Sequence, residues 1–343
     1  MPITPKNIIV KMPNWIGDAV MGMPILEDIK KRYPQAKLSV FCLSHMTALF
    51  DNNPFVDEAI GYKKPNGWIH RKEHRDLIDL IRLGDYDLGI LLTNSFSSAW
   101  WFYWAGVKER IGFKTQGRSL LLTKGVMYPK NLEKEHLVYT YKRLLEPLGI
   151  PPSSTKPRLY LGESDLQFSE SMLTLYKVPK RANIIGINPG AAYGSAKCWP
   201  PERFKEVTKK LAQDERNYIF YFGDNSSKQM IEGILEGVPG NVISLAGKTS
   251  LRELIAMIGR CSALLTNDSG PMHIASALNV PLVALFGSTN EVKTGPYNGE
   301  TVIHKHVECS PCYKRVCPID FRCMKRIEVD EVYNNVVKLL NVK

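Results

Sequence analysis

Short runs of apolar residues alternate along the chain with longer stretches in which apolar positions recur every three or four residues. NIIVKM (7–12), AKLSVFCL (36–43), VDEAIGY (56–62) and YDLGILLTN (86–94) read as strands. VMGMPILEDIKKRYP (20–34), HRDLIDLIRLG (74–84) and EHLVYTYKRLLEPLG (135–149) carry the period of amphipathic helices, with PNWIGDAV (13–20) as a tight loop before the first. The alternation lapses over 150–182, where IPPSSTKPRLYLGESD is rich in Pro and Ser, and this predicts a linker. It restarts with strands at NIIGINPG (183–190), NYIFYFG (217–223), VISLAG (242–247), ALLTN (263–267) and PLVALFG (281–287), separated by helical patterns. Strand–helix alternation of this kind predicts doubly wound parallel sheets. At 343 residues the chain is long enough for two such domains, at 1–160 and 161–343, with a cleft between them. In open sheets of this type ligands bind beyond the carboxyl ends of strands, so each loop after a strand is a candidate site.

Three of those loops have unusual compositions. In LLTNDSGPMHIASAL (264–278), Asp268 or Ser269 is expected to cap a helix that Pro271 opens, and the unpaired amides and dipole of its first turn suit a phosphate or diphosphate. An ordinary strand-to-helix turn has the same composition. In NPGAAYGSAKCWPPERF (188–204), small residues leave the backbone accessible and Lys197 supplies a positive charge that a diphosphate leaving group requires as its bond breaks. Trp199, followed by Pro200 and Pro201, is expected to anchor that loop. A surface ammonium and a packing indole are the plainer alternatives. In the first loop Asp18 is either a helix-cap carboxylate or a base for a substrate hydroxyl.

Charge sharpens the contrast between the halves. Residues 1–160 hold 23 Lys and Arg against 15 Asp and Glu, a net +8, whereas residues 161–343 come to +3. A basic half implies an anionic partner: nucleic acid, a phosphorylated substrate or a membrane surface. No run approaches the roughly 20 apolar residues of a membrane span, and the opening MPITPKNIIVKMPNW lacks the basic-then-apolar pattern of a secretory signal, so a cytoplasmic protein is expected. In that setting the four clustered cysteines of ECSPCYKRVCPIDFRCM, Cys309, Cys312, Cys317 and Cys323, are reduced thiols or metal ligands rather than disulfides. Their C-x2-C-x4-C-x5-C spacing contains one zinc-knuckle pair instead of the usual two, which leaves packed thiols as the simpler expectation.

Other motifs fail on spacing. There is no G-x-G-x-x-G after the first strand, which weakens a nicotinamide-dependent dehydrogenase or epimerase. LAGKTS (245–250) imitates a phosphate-binding loop but has Val242 where that motif needs glycine, and H-E-x-x-H and G-x-S-x-G are absent. A non-catalytic basic binding protein is the third class. The aromatic stretch SSAWWFYWAGV (97–107) reads as a core helix, with contact to lipid headgroups as the alternative.

Taken together, NWIGDAVMGMPIL, NPGAAYGSAKCWPPERF, LAGKTSLRELIAMIGRC, TNDSGPMHIASALNVPLVALFGSTN and CSPCYKRVCP resemble glycosyltransferase family 9, the ADP-heptose:lipopolysaccharide heptosyltransferases. The NPGAAYGSAKCWP form is closer to the heptosyltransferase II branch. The resemblance implies a GT-B fold of two facing Rossmann-like domains, the first for the acceptor and the second for the nucleotide-sugar. It implies transfer of heptose from ADP-L-glycero-D-manno-heptose to an anionic lipid A–inner core acceptor, with inversion, no catalytic metal, no bound cofactor and no nucleic acid. Peripheral contact with the inner face of the inner membrane would follow. By similarity Asp18 is the general base and Lys197 contacts the donor phosphate and sugar. Asn188, Gly190, Ala191, Asp268, Ser269 and Gly270 line the donor site, and His273 occupies the family's histidine position. The family's acidic residue for the nucleoside falls nearest Asp224, displaced from its usual place.

Overall fold

The computed structural model describes residues 4–65, 67 and 71–341; the first three residues of the opening stretch lie outside them. The chain divides into two compact units, Met1–Tyr160 and Leu161–Lys343. In the first, β1 (Asn7–Lys11), β2 (Lys37–Leu43), β3 (Glu58–Tyr62), β4 (Leu88–Leu91), β5 (Glu109–Phe113) and β6 (Lys124–Val126) form one parallel sheet in the order β3-β2-β1-β4-β5-β6. Helices α1 (Ile16–Gly22), α2 (Pro24–Arg32), α3 (Arg71–Arg82) and α4 (Phe96–Trp104) connect strands of this sheet, and α5 (Leu137–Lys142) follows β6.

The second unit repeats the plan. Its strands are β7 (Asn183–Asn188), β8 (Asn217–Tyr221), β9 (Val242–Ser244), β10 (Ala263–Asn267), β11 (Leu282–Phe286) and β12 (Thr301–His304), parallel in the order β12-β11-β10-β7-β8-β9. Its helices are α6 (Glu163–Leu175), α7 (Pro201–Leu211), α8 (Lys228–Leu235), α9 (Leu251–Ile258), α10 (Gly270–Ala277), α11 (Glu291–Thr294), α12 (Arg322–Lys325) and α13 (Val329–Leu340). Counted from its own first strand, each sheet runs 3-2-1-4-5-6 and reverses between its first and fourth strands. That reversal opens a crevice at the strand ends. The central strands are held by complete burial of residues such as Ile185, Ile187 and Leu265, each contributing about 1.5–3 kcal/mol.

Local chemistry departs from the sequence reading at two places. The helix expected over 20–34 is two helices, because Pro24 lacks the N–H that would continue α1 and instead starts α2. Asp18 lies in the first turn of α1, at the beginning of a helix as its place just past Gly17 suggests. The expected linker is also ordered. Ser153 Oγ and Thr155 Oγ1 donate to the buried Asp28 carboxylate at 2.7 and 3.1 Å, and Lys142 Nζ reaches the Ser153 and Thr155 carbonyls at 2.7 Å. Residues 163–175 then form α6, tied to α9 by a buried Asp165–Arg252 ion pair. Beyond β12, α13 buries Val329, Val332 and Val336, spaced for one helical face.

Candidate active site

At the reversal in the second sheet, Asn188 at the end of β7 lies in register with Thr266 on β10. Loops 189–199, 268–269 and 287–290 follow β7, β10 and β11, and two asparagines bind the first two together. Asn267 Nδ2 donates to the Pro189 carbonyl at 2.6 Å, and its Oδ1 accepts from Trp199 N at 3.0 Å. Asn188 Nδ2 donates to Gly190 O at 2.9 Å and to Ser269 Oγ at 3.1 Å. Trp199 is buried edge-on against Phe204, with ring centroids 5.1 Å apart, and its Nε1 donates to Ile327 O at 3.1 Å. The loop bearing Lys197 is therefore anchored at both ends.

Lys197 Nζ is ion-paired with Asp268 Oδ2, the side chains being 13% and 4% exposed. Thr289 Oγ1 donates to the same carboxylate at 2.6 Å, and the ammonium lies 4.8 Å from the centre of the Tyr193 ring. The lysine expected to act as a fixed charge is thus aimed by the aspartate expected in the neighbouring turn. An ammonium carries three donors, so the contact with Asp268 leaves capacity for an anionic ligand. The expected cap on α10 is not formed by side chains. Ser269 Oγ is engaged with Asn188 and Thr266, Asp268 with Lys197 and Thr289, and α10 starts without a side-chain cap. Because Pro271 has no N–H, the first-turn amides that remain are those of Gly270 and Met272. Gly190, Ala191 and Gly270 are half-buried around this point, and His273 is buried on α10.

The reversal in the first sheet lies between β1 and β4. Asp18, half-buried, enters from α1 just beyond β1, and its charge adds to the burial that holds the Tyr141 phenol well above its ordinary range.

The model for glycosyltransferase family 9 (heptosyltransferase) matches residues 74–321. The chain belongs to glycosyltransferase family 9. Lipopolysaccharide heptosyltransferase 2 of Escherichia coli (strain K12) is 31% identical over 84% of this chain and 85% of that protein. Lipooligosaccharide heptosyltransferase 2 of Campylobacter jejuni (strain 81116 / NCTC 11828) is 28% identical over 97% and 99%. Among solved structures, E. coli ADP-heptose lps heptosyltransferase II superposes with a TM-score of 0.81 at 28% identity, covering 97% of this chain and 98% of that one. The protein is accordingly a glycosyltransferase, and its two six-stranded parallel sheets match the GT-B heptosyltransferase architecture.

Within this family 9 chain, two motifs have settled structural uses. Asp224 accepts hydrogen bonds from Ser226 Oγ, Ser227 N and Ser227 Oγ at 2.7–3.0 Å. Burial raises its pKa, but these bonds outweigh that effect and hold it below the usual carboxylate value. It caps its own turn. In LAGKTS, Lys248 Nζ donates to Ser244 O at 2.9 Å, and Ser250 forms a capping box with Glu253 on α9.

The sequence reading missed Lys11. It ends β1 at 1% exposure, its Nζ donates to Met12 O and to Asn14 Oδ1, and it lies 5.0 Å from the Tyr62 ring centre. A lysine inside the apolar run NIIVKM was the available signal. Burial pulls its pKa from 10.5 to about 7, slightly opposed by the Cys42 thiol. Below about pH 7 the ammonium is buried in the folded state and the desolvation penalty is fully present. Between 7 and 10.5 the unfolded chain binds more protons, so stability rises with pH. Lys11→Met is expected to raise the unfolding free energy by about 1–3 kcal/mol near neutral pH and to flatten the rise above it. Denaturant titrations across that range check this, and an unchanged slope in the variant rules it out.

Proposed function

We propose that this protein transfers heptose from ADP-L-glycero-D-manno-heptose to the lipopolysaccharide inner core, as the names of its heptosyltransferase 2 relatives suggest. The observation that carries the reading is the Lys197–Asp268–Thr289 cluster beside the uncapped start of α10, at the reversal of the second sheet. As the acceptor oxygen bonds to the anomeric carbon from the face opposite ADP, Asp18 takes its proton. The bond from that carbon to the diphosphate breaks as the new bond forms, and the electron pair leaves with ADP. Lys197 and the α10 amides stabilise the departing charge, which gives the diphosphate a cation without a divalent ion. Asn188, Gly190, Ala191, Ser269, Gly270 and His273 complete the donor side in this reading. Incubation with ADP-heptose and truncated lipopolysaccharide acceptors should give a product heavier by one heptosyl residue in the mass spectrum. Recovery of unmodified acceptor with every truncation would overturn the assignment. Activity should also need no added magnesium or manganese, and a requirement for either would count against the leaving-group scheme.

The first unit is proposed to face anionic lipid. No helix among the described residues is long and apolar enough to cross a membrane, so contact would be peripheral to the inner leaflet, with the protein on the cytoplasmic side. Arg71, Arg75, Ile78 and Arg82 form one stripe of α3, and with His74, Asp79, which pairs with Arg82, and Trp100 and Trp104 of α4 they line a groove of about 610 Å³. Trp104 is 55% exposed. Guanidinium groups beside indoles suit phosphate headgroups at an interface. At about 1 kcal/mol per basic residue, Arg71→Gln with Arg75→Gln should weaken partitioning onto anionic phospholipid vesicles by about 30-fold. Sedimentation with vesicles measures this, and equal binding by the variant would move the membrane contact elsewhere.

A further inference from the structure

Residues 305–321 connect β12 to α12 without helix or strand, and His306, Tyr313 and Phe321 within them take left-handed backbone conformations. Val316 and Ile319 are exposed, so little apolar burial holds this 17-residue segment. Loops of that length usually have a function or a brace. Its three cysteines, Cys309, Cys312 and Cys317, surround with Cys323 of α12 one small cavity of about 50 Å³, which Lys314 and Arg322 also line. A water molecule's share of liquid volume is about 30 Å³, so the cavity is of ionic size.

We propose that these four thiols hold a thiophilic divalent ion, zinc, as a structural centre that braces the loop carrying Lys197. On binding, the four thiols lose four protons and the ion brings two positive charges, giving a tetrathiolate centre of net charge −2. Lys314 and Arg322 line the cavity, the latter also paired with Asp320 and Glu308, and bring positive charge to its wall. Phe321 N–H donates to Cys317 Sγ at 3.3 Å, a bond that favours the thiolate. Cys323 arrives on α12, so a second knuckle in the sequence is unnecessary. Its sulfur packs so closely on Gly287 that a Cβ there would stand 3.0 Å from it. Among the described residues, the one trio of ligand atoms already within 4.8 Å of one another is Glu291, His304 and His306, so the ion must draw the four sulfurs inward from the cavity wall. That trio is occupied otherwise: both ring nitrogens of His304 are engaged, Nδ1 with Glu291 at 2.7 Å and Nε2 with Ser310 Oγ at 2.8 Å.

The same loop touches the candidate donor site directly. Tyr313 O accepts from Tyr193 Oη at 2.7 Å and Arg315 O from Ala196 N at 3.0 Å. Cys312 N and Tyr313 N both donate to Ser288 O, next to Thr289. Fixing the cysteine loop thus fixes the two segments that aim Lys197 and Asp268. This bracing role rests on the donor reading above; the ion itself does not.

The test begins with metal content, independent of activity. Full-length protein made in zinc-supplemented medium and purified under reducing conditions should carry about one zinc per chain by mass spectrometry of the metal. A mercurial reagent should release it as four thiols are modified. Cobalt exchange should give thiolate-to-cobalt charge-transfer absorption that Cys309→Ser with Cys312→Ser abolishes and His304→Ala with His306→Ala retains. Fully reduced protein that neither carries zinc nor develops that absorption with cobalt overturns the proposal, as does loss of the ion in the histidine variant alone. If the cysteine variant is insoluble, mercurial release from the unaltered protein decides. Zinc-depleted protein that still melts cooperatively should bind ADP about tenfold more weakly by calorimetry. Unchanged ADP affinity would overturn the bracing role. Failure of the zinc-loaded protein to bind ADP at all would instead sink the donor reading and leave the metal count standing.

Discussion

Asp18→Asn is expected to lower heptose transfer by about 10²–10⁴-fold, the range of a general base, while calorimetry shows ADP binding unchanged. The carboxamide keeps the size of the side chain but cannot take up the acceptor's proton. Asp18 also has a structural use, since a carboxylate in the first turn of α1 favours the positive end of that helix by about 0.3–1 kcal/mol. The two roles separate in magnitude: the variant should lose little stability and nearly all turnover. The Tyr141 phenol supplies a second readout. Removing the Asp18 charge, the second of the causes that hold Tyr141 high, should let its ionisation fall toward the ordinary range without reaching it, because burial remains. Full turnover in Asp18→Asn would take this residue out of the mechanism.

The parallel sheets were legible because strands such as Ile184–Ile187 and Leu282–Phe286 are apolar on both faces, and such runs stand out against helical spacing. The missed helix α6 has a mixed pattern in ESDLQFSESMLTL, and its ordering depends on Asp165 meeting Arg252, 87 residues away. The supposed linker failed for a similar reason. Pro and Ser signal irregular backbone, but nothing local shows that Ser153 will find Asp28, 125 residues earlier. Helix α13 is the converse case, since the spacing of Val329, Val332 and Val336 was readable and went unread. At the candidate site the residue types were legible and their relations were not. NDSGP and AKCWP each announced a polar turn after a strand, but the pairing of Lys197 with Asp268 across 71 residues is a product of the sheet order. Asn267 was read as the end of a strand. Its amide nevertheless joins both loops, through Pro189 and Trp199.

Lys197→Ala is expected to reduce transfer by about 10²–10³-fold, the scale of losing one preorganised contact to a leaving group. It should also lower unfolding stability by about 3–5 kcal/mol, because Asp268, 4% exposed, is left charged in the interior with the Thr289 hydroxyl still donating to it. A drop in activity alone would therefore not distinguish a leaving-group role from local collapse. Lys197→Ala combined with Asp268→Asn separates them. The asparagine oxygen still accepts from Thr289, no buried charge is stranded, and stability should return to within about 1 kcal/mol of the parent. Transfer should stay low, since no ammonium remains to meet the diphosphate as its charge develops. Recovery of turnover in the double variant would mean that Lys197 acts only by neutralising Asp268, and the catalytic cation would then have to be sought elsewhere in the second unit.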